Sequence, residues 1–364
     1  MSSKTVTLLV IVLVASMAVP LVLEDSSADA SDRYVSQLDS NGQGLYAQMS
    51  TAFASAAESP TDSVFVTYTV GTPMLFSTTD EAKEYALSMM EDAVAAYYLT
   101  DPSWIWLWDY PAITDLETGL GFGHTTTTVT VNGTQWIMLV SVSFTLTVPE
   151  EFKDDTSTEA NEVAEAIAAV KEAAEAVTVS GESVQDRVSS INDTLRGITS
   201  ATDDEGTVGN IYDALVTKTS SSAGVAAAFT YLCSLNGLTA VTVAGSVLAS
   251  DGSMSDGFWN EVLQDDSWYA VDCTWNSSTA RNCLMVGTTS SVTLGSTSYG
   301  FGATHYAEPE QLSSALAAPA LASGGVEWPD DSTVIEKYGG YVIVLLIVVV
   351  IVVTFVHAIK KGIV

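Results

Sequence analysis

Positive charge is scarce in this chain. Its 364 residues contain 12 Lys plus Arg against 44 Asp plus Glu, which gives a formal net charge of −32 at pH 7. An acidic surface repels phosphate groups, so we predict no nucleic-acid partner. Charged residues still make up only 15% of the sequence and hydrophobic residues 47%. The composition is therefore typical of a folded protein with an acidic, soluble surface, and not of a disordered acidic tail.

Long apolar runs are confined to the two ends of the chain. Near the N-terminus, Lys4 precedes an apolar run over 6–23, and Ala28 and Ala30 then fit the small-x-small pattern of a cleavage site. We predict a signal peptide over 1–30, with an uncleaved anchor as the alternative.

The apolar run at the C-terminus consists almost entirely of Val, Ile and Leu over 341–359. A helix of that length crosses roughly 30 Å of hydrocarbon. Lys360 and Lys361 follow directly, and basic residues stay on the cytoplasmic side. We predict a linker over 321–340, a transmembrane helix over 341–359 and a cytoplasmic tail over 360–364. The protein would then be a single-pass cell-membrane protein with its ectodomain outside.

Cysteine and histidine are also scarce, with three of each. Three cysteines are too few for a disulfide framework, although an exported protein could form one bridge. Cys273 and Cys283 flank a short turn and are the first pair to test, whereas Cys233 lies in an apolar helix and is expected to be a buried thiol. No Cys-x-x-Cys spacing occurs, and His357 falls in the apolar C-terminal run. We therefore predict no metal site and no cofactor.

The sequence contains three N-glycosylation acceptor patterns. They begin at Asn132, Asn192 and Asn276. The pattern is a weak signal, and it matters here only because the segment is expected to be extracellular.

The region 31–150 is predicted to be an N-terminal α+β region. An alternating run over 64–70 predicts a strand, and Thr-Thr-Asp-Glu opens a predicted helix over 79–98. Asn132-Gly133 is a two-residue hairpin signal between predicted strands over 125–131 and 136–148.

Three tryptophans, Trp104, Trp106 and Trp108, recur at a spacing of two in this region. Such a face could form an exposed aromatic shelf for carbohydrate or peptide. Burial against the neighbouring helix is favoured, because aromatic rings bury large areas.

The back half, 151–320, is predicted to form the main domain. Apolar residues at helical spacing indicate amphipathic helices over 157–177 and 184–195. The first could instead be a partner surface of coiled-coil type, but its stripe is too short for sustained heptads, which favours an internal helix.

Two stretches of this half carry the chemistry. The first, over 220–233, reads S-S-S-A-G-V-A-A-A-F-T-Y-L-C and predicts a helix that starts with small residues. The second, over 257–275, reads G-F-W-N-E-V-L-Q-D-D-S-W-Y-A-V-D-C-T-W and predicts two strands joined by a tight Asp-Asp-Ser turn. Together they resemble the core of the transglutaminase-like superfamily, which has a papain-like fold. The resemblance implies an α+β core with an antiparallel sheet packed on helices, here with an N-terminal α/β extension and a C-terminal transmembrane helix.

The same resemblance implies a catalytic Cys at the start of the helix and a His and an Asp on the hairpin. In this chain the Cys position falls on Ser222 and the His position on Gly257, and only the acid, Asp272, is retained. A serine hydroxyl needs a general base within hydrogen-bond reach, and Gly257 supplies none. We therefore predict a degenerate member without a catalytic residue. In it, Asp272 orients nothing, and it is retained for hydrogen bonds that pin the hairpin.

Three functions remain open at this point. The first is a catalytically inactive domain that serves binding, adhesion or scaffolding at the cell surface, with an extracellular protein, peptide or glycan as its ligand. The second is a divergent hydrolase of transglutaminase or protease type that uses Ser222 with a recruited His305. The third is a purely structural envelope protein.

Overall fold

The computed structural model describes residues 30–101, 121–149, 152, 162–201, 209–249, 251–276, 282–308 and 312–328. The predicted signal peptide before residue 30, the tryptophan segment and the predicted transmembrane helix lie outside these residues. Across the described ranges, no helix is both long enough and apolar enough to cross a membrane. The chain divides into the compact units Met1–Val326 and Glu327–Val364, and the elements below belong to the first.

A four-stranded antiparallel sheet and three helices form the front region. Its long central strand β4 (Thr134–Thr147) pairs along one edge with β3 (Gly123–Val131). Along the other edge it pairs with β1 (Ser63–Thr69) and β2 (Leu75–Phe76). The hairpin predicted at Asn132-Gly133 is confirmed, with both residues at positive φ (53° and 81°). The elements are α1 Ala30–Val35, α2 Ser40–Glu58, β1 Ser63–Thr69, β2 Leu75–Phe76, α3 Thr79–Thr100, β3 Gly123–Val131 and β4 Thr134–Thr147.

A second antiparallel sheet organises the back region. Its strand order is β10 (Leu284–Val286), β9 (Ser267–Val271), β8 (Met254–Gln264), β7 (Ala240–Leu248) and β13 (His305–Ala307). The predicted helices are confirmed as α4 and α5, and α5 starts with a capping box between Ser183 and Asp186. The elements are α4 Glu162–Glu175, α5 Val184–Ile198, β5 Ser200–Ala201, a π-helical turn Asp213–Thr217, β6 Thr219–Ser220, α6 Ser222–Leu235, β7 Ala240–Leu248, β8 Met254–Gln264, β9 Ser267–Val271, β10 Leu284–Val286, β11 Ser291–Leu294, β12 Thr297–Gly300, a 3₁₀ turn Phe301–Ala303 and β13 His305–Ala307.

Helix α6 packs on β7 and β8 through a buried polar network. The amide nitrogen of Asn260 donates to the carbonyl of Ala226 at 2.9 Å and lies 3.0 Å from the hydroxyl of Thr230, which in turn lies 2.9 Å from that of Thr242. Small side chains along α6 let helix and sheet approach closely enough for these bonds. The antiparallel sheet packed on a helix, which the resemblance implied, is thus confirmed.

The front region shares this core. The hydroxyl of Tyr34 donates to the carbonyl of Thr242 at 3.2 Å, and the rings of Tyr98 and Phe258 meet edge to face at 6.5 Å between centroids. The first helices of the chain therefore help to position the strands that carry the candidate site.

Cys273 and Cys283, the pair named for testing, form no bridge, because both are free buried thiols, as is Cys233. Hydrogen bonds close this turn instead. The Asn276 side chain accepts from the Cys283 amide at 2.7 Å, and the Asp272 amide donates to the Cys283 carbonyl at 2.9 Å. Burial raises the pKa of the Cys233 and Cys273 thiols, which disfavours the reactive thiolate.

Candidate functional site

Ser222 is the first residue of α6, as the resemblance implied. The residue before it is extended, so the chain enters the helix abruptly. Gly224 makes this entry possible, because a Cβ there would lie 2.5 Å from the carbonyl oxygen of Asn210. The hydroxyl oxygen of Ser222 accepts from the backbone amide of Phe258 at 3.3 Å. The nucleophile position therefore lies beside β8 and is occupied by a weak hydrogen-bond acceptor.

The Phe258 amide lies on the side of β8 that faces no described strand. Strand β8 pairs with β7 from Met254 to Val262, but with β9 only from Asn260 to Gln264. Among the described residues, the first part of β8 thus has a strand on one side only, and the side chain of Ser222 satisfies one amide on the other side.

Gly257, at the position of the family's His, is buried. A Cβ built on it would lie 2.3 Å from Cγ2 of Val247 and 3.1 Å from its Cβ. Val247 therefore fills the space into which a side chain at 257 would extend. Gly257 on β8 is thus matched by Val247 on the neighbouring strand β7. A side chain at 257 would require a smaller residue at 247 as well.

This geometry makes Gly257→His destabilising, because the imidazole and Val247 cannot occupy the same volume. We expect a loss of about 1–3 kcal/mol in the free energy of unfolding, as for other overpacked cores. Val247→Ala in the same chain makes room and should restore part of the loss, although Val247→Ala alone destabilises. Denaturant unfolding of the three variants tests this. A Gly257→His protein as stable as the wild type would contradict the steric account.

Asp272 lies in the turn after β9 and is fully engaged. One carboxylate oxygen accepts from the Thr274 amide at 2.8 Å, the Thr274 hydroxyl at 2.6 Å and the Trp275 amide at 3.1 Å. The other oxygen lies 3.1 Å from Nε2 of His305. These bonds hold the turn after β9, and the pinning of the hairpin stays a prediction. The expectation that Asp272 orients nothing is wrong, since its second oxygen contacts the imidazole of His305.

His305 is enclosed on all sides by aromatic rings and polar partners. Its ring stacks on Phe301 at 4.1 Å between centroids and meets Trp259 and Trp275 edge to face at 5.2 and 4.7 Å. Its Nδ1 lies 2.8 Å from the hydroxyl of Thr304. With Nε2 facing Asp272, both ring nitrogens are in use, and the side chain has no exposed surface.

The structure therefore brings Asp272 to His305, but joins neither to Ser222 by a hydrogen bond in the described part of the chain. To act as a general base for Ser222, His305 would need a free ring nitrogen within about 2.6–3.2 Å of the Ser222 hydroxyl oxygen. In this arrangement His305 has no such nitrogen.

Sequence reasoning missed Glu261, the residue that follows Trp259-Asn260 on β8. It lies two residues after Trp259 on the same face of β8 and is 1% exposed. One of its carboxylate oxygens has no hydrogen-bond partner among the described residues. Burial raises the pKa of Glu261 to about 8, while the positive charge of Arg33 and the nearby indole N–H of Trp259 partly oppose the rise. Within the described ranges, that N–H forms no hydrogen bond of normal geometry. The only sequence signal for its burial is the alternation of side chains along a strand, which puts Glu261 on the same face as Trp259.

No group of three or more His, Cys, Asp or Glu that could hold a metal ion occurs among the described residues. A pocket of about 630 Å³ lies between α4 and the π-helical turn, and its lining includes Phe152, Tyr212, Glu165 and Thr217. None of the four sequence-predicted site residues lines it.

No family model and no curated protein matches this sequence. Among solved structures, the chain is similar to a TGase, with 17% identity over 44% of this chain and 46% of that one and a TM-score of 0.26. It is also similar to the periplasmic domain of TgpA from Pseudomonas aeruginosa bound to ethylmercury, with 16% identity over 43% of this chain and 67% of that one and a TM-score of 0.24. The chain thus spans less than half of the TGase it matches. The neighbours are of the kind that the sequence pattern indicated, but at these TM-scores the interpretation of the site rests on its own residues.

Proposed function

We propose that this protein is a membrane-anchored extracytoplasmic protein whose transglutaminase-like domain is catalytically inactive and serves binding, adhesion or scaffolding at the cell surface. The observation that carries the proposal is the separation of the site into two parts. Ser222 accepts from the Phe258 amide, while His305 is bonded through both ring nitrogens to Asp272 and Thr304.

Three features of the site support inactivity. A serine without a base retains an unperturbed hydroxyl, which is a poor nucleophile at neutral pH. The volume next to Gly257, from which the family's base would extend, is occupied by Val247. The Asp272–His305 pair is enclosed by aromatic rings and has almost no exposed surface. It can hold the turn after β9 against β13, but it is not accessible from solvent.

The edge of β8 that faces no described strand supports a binding role. An exposed strand edge can add an extended peptide through main-chain hydrogen bonds. Because residues two apart present their amides on the same side of a strand, the amide of Asp256 lies on the same open side as that of Phe258. Asp256 is exposed. An extended peptide segment of another surface protein is thus the occupant that this geometry favours.

The proposal is tested first by activity. Purified full-length protein should show no amidase or transamidase turnover above that of Ser222→Ala with glutamine-containing and lysine-containing peptides. Ser222→Cys should also remain inactive, because its thiol would have no imidazole beside it. Turnover in the wild type that is lost in Ser222→Ala would overturn inactivity and favour the hydrolase alternative.

Binding is tested by capture of surface proteins and cell-wall glycans from native cells on the full-length chain. Asp256→Pro removes the amide on the open edge, and Asp256→Asn is the matched control that keeps it. We expect saturable binding that is lost only in the proline variant. Absence of any saturable ligand would instead favour a structural envelope protein.

A further inference from the structure

The three N-glycosylation acceptor patterns differ sharply in their surroundings. Asn132 lies at the tip of the β3–β4 hairpin, Asn192 lies within α5, and Asn276 lies in the turn after β9. The sequence alone does not distinguish them, since all three have the required hydroxyl residue two positions later.

Asn192 and Asn276 are inaccessible in the folded chain. They are 0% and 4% exposed, respectively, and the Asn276 amide nitrogen donates to the Asn192 side-chain oxygen at 2.6 Å. Asn276 also accepts from the Cys283 amide at 2.7 Å. A sugar on the Asn276 nitrogen would leave it one N–H for two buried acceptors, the Asn192 oxygen and the Cys283 carbonyl. Neither buried asparagine has room for a sugar.

Asn132 has the opposite environment. It is exposed, as are Gly133 and Thr134, and its side chain forms no hydrogen bond with the described residues. The turn places Asn132 at φ 53°, and no heavy atom lies within 4 Å of a Cβ built on Gly133. Its amide nitrogen and the Thr134 hydroxyl are therefore open to an enzyme from outside.

The strand leading to this tip offers a reason for a sugar there. Strand β3 pairs only with β4 among the described residues, so no described strand covers its other edge. It carries no Asp, Glu, Lys or Arg, and Val131 at its end is 41% exposed. Natural proteins protect such edges, because an uncharged strand with unpaired amides can pair with another chain. A bulky, solubilising glycan at the tip would hinder that pairing.

We propose that Asn132 is an N-glycosylation site and that Asn192 and Asn276 are not. The inference rests on the extracytoplasmic location in the proposed function. In the reaction, Nδ2 of Asn132 forms a bond to C1 of a sugar carried on a lipid phosphate, and the bond between C1 and the phosphate oxygen breaks. The lipid phosphate leaves with the electron pair, and the amide proton is lost to the transferase.

The structural part is tested in vitro. Folded full-length protein is incubated with an oligosaccharyltransferase and a lipid-linked oligosaccharide, and glycopeptides are mapped by mass spectrometry. We expect transfer to Asn132 alone. Tryptic peptides of the same chain should accept sugar at all three sites, because unfolding exposes the two buried asparagines. A folded chain that takes sugar at Asn192 or Asn276, or none at Asn132, overturns the inference.

The protein from native cells gives the second test. Thr134→Ala should lose the glycan mass and Thr134→Ser should keep it, while protease treatment of intact cells reports whether the chain is outside. A chain on the outside without a glycan at Asn132 overturns this inference and leaves the surface location standing. A chain that is protected inside the cell overturns both.

Discussion

Asp272→Ala should lower the free energy of unfolding by about 3–5 kcal/mol, because removing one member of a buried pair leaves the other without its partner. The variant loses the contact with His305 and also the bonds from Thr274 and Trp275. Unfolding in urea followed by tryptophan fluorescence measures the loss. Asp256→Ala is the matched control, since that carboxylate is exposed and should change stability by less than about 0.5 kcal/mol.

A double-mutant cycle separates the two roles of Asp272. His305→Ala removes the imidazole but keeps the bonds within the turn, so the coupling energy between Asp272→Ala and His305→Ala reports their pair alone. We expect a coupling of at least about 1 kcal/mol. Additive losses would mean that Asp272 acts only within its own turn, and that the contact with His305 contributes nothing to stability.

Glu261→Gln should stabilise the protein at alkaline pH and remove much of its pH dependence. Because burial raises the pKa of Glu261 to about 8 in the folded state, the folded chain holds a proton that the unfolded chain loses above about pH 4.5. Stability is therefore highest below that pH and falls as pH rises to about 8, by an amount on the order of 4 kcal/mol. The neutral amide avoids this cost.

The measurement is urea unfolding of wild type and Glu261→Gln at pH 5, 7 and 9. The two curves should lie close together at pH 5 and separate progressively above it, with the variant more stable. Glu182→Gln is the control, because this carboxylate is exposed. Equal pH dependence in wild type and Glu261→Gln would show that Glu261 is ionised in the folded protein at no cost. Arg33, Tyr34 and Trp259 are the groups around Glu261 that could provide such compensation.

Elements with strong local signals were predictable from the sequence. The Asn132-Gly133 hairpin and the Asp265-Asp266 turn required positive φ, which these residue types accept, and both adopt it. Helix α3 starts at the predicted cap, where the Thr78 hydroxyl accepts from the Glu81 amide. By contrast, α2 was not predicted. It contains Gly42 and Gly44, which weaken its intrinsic preference, and it is stabilised by burial of side chains such as Leu45, Met49 and Phe53.

The candidate site was likewise predictable only where the signal is local in the sequence. The sequence by itself placed Ser222 and Gly257 at the positions where the resemblance implies a Cys and a His. It could not determine what replaced them, because the residues involved are far apart along the chain. The packing of Val247 against Gly257, the contact of His305 with Asp272 and the burial of Glu261 all depend on strands that meet only in the folded sheet. Side-chain identity is local, whereas exclusion of water and competition for volume are decided by tertiary packing.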